Sequence, residues 1–121
     1  MTTSVGSALN AAISAVRDAA HRQDTAALNG ADLLGWGAAL TEITTTLAGV
    51  SRHLERRIVH YGDHRLLGDD QGADPYERLG EMRRHLAALA LALTEAAVQA
   101  QAYHGATTHI DVKVDLDAGP R

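Results

Sequence analysis

Residues 51–64, SRHLERRIVHYGDH, carry three of the chain's seven histidines in a spacing that could hold a metal or an anionic ligand. His53, His60 and His64 fall within about 40° of one another on a helical wheel, and His60 and His64 have the i, i+4 spacing of a helical metal pair. His85 stands one turn from Glu81 in EMRRH, on the segment expected to face this one. Bundle metal sites can be built from such residues, but di-iron bundles use Glu-x-x-His pairs with further carboxylates pointing into the core. Neither long segment contains such a pair, so no metal and no cofactor is expected, and a solvated pole of Arg–Glu pairs is the plainer reading. Arg52, Arg56 and Arg57, with Arg83 and Arg84 across the hairpin, add an arginine cluster suited to phosphates or an acidic partner. These arginines and His53, His60, His64 and His85 form a candidate ligand or partner pole.

Other chemistry finds little support. The chain has no cysteine, which excludes thiolate sites, disulfides and cysteine nucleophiles. Phosphate-loop, dinucleotide and nucleophile-elbow patterns are missing, so an enzyme is not expected. With a formal charge of −4 and no nucleic-acid-binding module, direct nucleic-acid binding is not expected either. No apolar run of roughly 18 residues could span a bilayer, and the start lacks the basic and apolar regions of a signal peptide. A cytoplasmic protein without membrane contact is the expectation.

The elements that must position this pole are helical. At 121 residues without phenylalanine, the chain must build one modest core from Leu, Ile, Val and many alanines. A first helix is predicted over 7–23, where Leu9, Ile13, Val16 and Ala20 draw one apolar stripe. A second is predicted over 32–61, capped by Asp32, with Trp36, Leu40, Ile43, Leu47, Val50, Leu54, Ile58 and Tyr61 as its seam. After the polar, glycine-rich segment GDHRLLGDDQGA, a third is predicted over 75–104. Asp74 is its cap, Pro75 its first residue, and Glu77 is placed to reach back to the cap. Its seam reads Leu79, Met82, Leu86, Leu89, Leu93, Ala96, Ala100 and Tyr103. The fold class is therefore all-α: a long antiparallel, coiled-coil-like hairpin plus a shorter N-terminal helix, with Trp36 packing near Ala100.

LAALALALTEAAV, residues 86–98, is apolar nearly all round. Ala87, Leu91, Thr94 and Val98 form a second stripe that must also be covered, by the first helix or by a second copy of the chain. A homodimeric helical bundle is expected, with Ala87, Leu91 and Val98 in its interface. The segment 109–117 alternates, with Ile110, Val112, Val114 and Leu116 on one face of an extended chain. It reads either as a short strand pairing across the dimer or as a loose acidic tail.

LGWGAAL, with the length and the helical-hairpin pattern, resembles the family of small secreted helical hairpins defined by a Trp-x-Gly turn. The resemblance is one of shape. Here Gly37 follows Trp36 directly, both lie near the start of a long helix, and Thr107 occupies the place of the acidic residue four after Tyr103. The sequence as a whole predicts a non-catalytic assembly or adaptor protein acting through homodimerisation and a protein partner. A metal- or small-ligand-binding bundle using the histidine pole is the alternative, and an accessory protein of a nucleic-acid complex is a weaker one.

Overall fold

The computed structural model describes residues 4–111 and 113. Among them are three helices and no strand: α1 (Val5–Thr25), α2 (Gly30–Ile58) and α3 (Pro75–Thr107). Local chemistry sets the starts. Ser4 caps α1 by accepting from the Ser7 N–H. Asn29, not Asp32, caps α2. Its side chain accepts from the Asp32 N–H at 2.8 Å while the Asp32 carboxylate accepts from the Asn29 N–H, a reciprocal box that lengthens the helix by a half turn. Asp74 caps α3 with Pro75 first, as the sequence predicts.

The ends differ more. α2 stops at Ile58, because the N–H groups of His60 and Tyr61 turn to the carbonyls three residues back. His60 and His64 therefore lie in a run of turns, and the wheel that grouped them with His53 does not apply there. α3 runs through Gly105 to Thr107, and the Thr107 and Thr108 hydroxyls satisfy the carbonyls of His104 and Gly105.

α2 and α3 pack closely along their length. Gly37 lies against His104 and Gly62 against Tyr76, so the start of α2 meets the end of α3 and the chain returns antiparallel. The expected register, Trp36 near Ala100, is about one turn off. The seam itself is also rotated. Gly37, Ala48 and Ser51 of α2 and Ala90 and Ala100 of α3 are the buried residues, with Thr41, Thr44, Leu86, Leu93 and Ala97 half-buried beside them. On α2 this stripe lies one residue past the large apolar one. Small side chains let the two helices approach closely, and large ones would hold them apart. Polar members of the stripe are satisfied locally: the hydroxyls of Thr41, Thr44 and Ser51 donate to carbonyls four residues back, within 2.8 Å.

α1 buries no residue. Its end is tied to α2 where the Trp36 indole N–H donates to Gln23 Oε1 at 2.9 Å. From there α1 folds back beside α2, leaving an open apolar groove of about 610 Å³ between Leu9, Ile13 and Val16 on one side and Ile43 and Leu47 on the other. No helix among the described residues is long and apolar enough to cross a membrane.

At the C-terminus His109, Ile110 and Asp111 form no strand, and Ile110 is exposed. Val112, Val114 and Leu116, the rest of the expected strand, lie outside the described residues.

Candidate functional surfaces

The two sides of the α2–α3 pair can be told apart. Arg52 donates to the Thr94 hydroxyl, and each stands one residue past a member of the packed stripe, Ser51 and Leu93. In an antiparallel pair, positions one residue past the interface fall on the same side of both helices, and positions one residue before it fall together on the other.

The first side carries Ala87, Leu91 and Val98. Leu91 is 72% exposed and Val98 52%, while Ala87 is half-buried. This stripe is narrow, and the Arg52–Thr94 hydrogen bond crosses it. The opposite side is broader. It bears Leu40, Ile43, Leu47, Val50 and Leu54 of α2 with Leu89 and Tyr103 of α3, all exposed, and the α1 stripe extends it. Sequence reasoning assigned these residues to the seam and so missed them as surface.

Charge divides the molecule along its length. Between Gly30 and Val50, and between Ala87 and Thr107, the only charged side chains are Asp32, Glu42 and Glu95. Arginines and acids crowd the end that holds the α2–α3 loop. There Arg78 clamps the loop: its Nε donates to Asp69 Oδ2 at 2.8 Å and its Nη1 to Glu81 Oε2 at 2.9 Å. Asp69 also accepts from the Gln71 and Ala73 N–H groups. The Arg78 guanidinium first, and then the Gln71 N–H, hold the Asp69 carboxyl down at about 2.

The predicted pole is split by this geometry. His53, Arg57 and His60 come together in a groove of about 790 Å³ floored by Leu54, Ile58, Leu79 and Met82, and Arg65 joins them. Arg65 was missed by sequence reasoning. Its guanidinium lies 4.4 Å from the Tyr61 ring centre and its Nη1 donates to the Tyr61 carbonyl. Arg52 is on the other side with Thr94, and Arg56, His64, Arg83, Arg84 and His85 are exposed away from the groove. Among the described residues no three His, Asp or Glu side chains stand close enough together to hold a metal ion.

Trp36 occupies the second turn of α2, not the turn between the helices. No family model, curated protein or solved structure matches the chain.

Proposed function

We propose that this chain is a non-catalytic helical assembly protein that works by homodimerisation and by contact with another protein. One observation carries the reading: among the described residues the buried apolar side chains are Ala48, Ala90 and Ala100, and no large side chain is fully buried. A chain of this size relies on apolar burial to offset chain entropy, and here most of its described Leu, Ile and Val residues are exposed. A second copy supplies the missing cover.

The broad side suits self-association better than the Ala87, Leu91 and Val98 stripe. It is nearly free of charge, so a partner lying on it desolvates few ions. Its two rim charges, Arg17 and Glu42, line the α1–α2 groove without pairing to each other, and they are opposite in sign. A two-fold axis along the groove sets Arg17 of one copy near Glu42 of the next. Sedimentation velocity on the purified chain tests the reading. A concentration-dependent dimer is expected, and a monomer throughout the micromolar range contradicts it.

A further inference from the structure

We infer that the groove at the loop end is a docking site for an acidic amphipathic helix of another protein. This deepens the assembly reading by naming the partner's chemistry. The site adjoins the self-association surface and shares Leu54 with it, but its centre is displaced: Ile58 lies fifteen residues beyond Ile43, about 22 Å along the helix at 1.5 Å per residue.

The groove joins an apolar floor to a basic rim. Leu54 and Ile58 from α2 and Leu79 and Met82 from α3 form the floor, and His53, Arg57, His60 and Arg65 stand around it. Among the described residues no acidic side chain lines it, although the chain as a whole is acidic at −4. Asp69 and Glu81 of this pole are engaged with Arg78, and Asp63 pairs with His60 Nδ1 at 3.0 Å on the rim itself, which leaves Arg57 and Arg65 as the rim's cations. Arg57 makes no ion pair or side-chain hydrogen bond among the described residues, so its guanidinium is available to a carboxylate.

The shape selects a helix. A trough between two antiparallel helices accepts a ridge of apolar side chains at i, i+3 and i+4, and acidic residues flanking that ridge meet the rim arginines. Met82 in the floor adapts to ridges of differing shape.

The test uses the full chain and two fluorescein-labelled 18-residue peptides with the same leucine ridge, one flanked by glutamates and the other by lysines. Fluorescence anisotropy should show the glutamate peptide binding at least tenfold more tightly, with affinity falling as salt rises. Arg57→Glu should abolish or invert the preference, and Met82→Glu should weaken both peptides, each variant first shown to be helical by circular dichroism. Equal binding of the two peptides, a preference that survives Arg57→Glu, or binding of anionic phospholipid vesicles in place of either peptide would overturn the inference. Because self-association is read separately by sedimentation, failure here leaves the dimer standing, and a monomeric chain that still selects the acidic peptide leaves the docking site standing.

Discussion

Gly37 and His104 occupy a space that admits only one side chain. A Cβ built on Gly37 would stand 2.6 Å from His104 Nδ1 and 2.9 Å from its Cβ, so the imidazole fills the place a larger residue on α2 would need. His104 Nδ1 is itself buried and has no hydrogen-bond partner among the described residues. This contact closes the open end of the α2–α3 pair, next to the point where Trp36 ties down α1.

Gly37→Ala therefore lowers stability although alanine favours helix. Overpacking costs about 1–3 kcal/mol, against the roughly 1 kcal/mol that alanine gains over glycine in a helix. Gly49, in the same helix, has open space around its Cβ position, and Gly49→Ala should stabilise by about 0.5–1 kcal/mol. Thermal melts followed by circular dichroism should move in opposite directions for the two variants. Adding His104→Ala should relieve only part of the Gly37→Ala defect, because the Cβ at 2.9 Å and Cα at 3.0 Å stay in place, and equal effects of the two glycine substitutions would contradict the close approach.

The Asp69–Arg78 clamp gives a pH dependence of defined sign. Asp69 titrates at about 2 in the folded chain and near the ordinary aspartate value of about 3.9 when unfolded. Its contribution is therefore fully present above about pH 4 and is lost as pH falls toward 2. Asp69→Asn should be less stable than the parent at pH 7, with the gap closing between pH 4 and 2. A gap that persists at pH 2 would show that the ion pair is not its source.

Trp36 reports on the tie to α1. It is the only tryptophan, and its indole N–H is held by Gln23. Gln23→Ala should red-shift and weaken its emission as α1 loosens, while helical signal from α2 and α3 is kept. An unchanged spectrum would mean that the tie does not hold α1 in place.

The helices were legible in the sequence because caps are local: Asp74-Pro75 names the start of α3 without any tertiary knowledge. The seam was not. Periodicity marks Leu40, Ile43, Leu47 and Leu54 as one apolar face but does not say what covers it, and close packing selected the neighbouring stripe of Gly37, Ala48 and Ser51 instead. His53, Arg57 and His60 line one groove, although the helical wheel that joins His53 to His60 and His64 fails where α2 stops at Ile58. Arg65 and the Asp69–Arg78 clamp depend on how a glycine-rich loop folds back, and no spacing announces that.

On the proposed reading a second copy covers the exposed face of Ile43 and Leu47. Light scattering on the parent chain, on Ile43→Glu/Leu47→Glu and on Leu91→Glu/Val98→Glu tests it most directly, since charges placed in an apolar interface cost several kcal/mol without touching the packed α2–α3 stripe. The parent should be a dimer, the Ile43/Leu47 variant a helical monomer, and the Leu91/Val98 variant a dimer still. A monomeric parent, or a dimer lost only in the Leu91/Val98 variant, would contradict that reading.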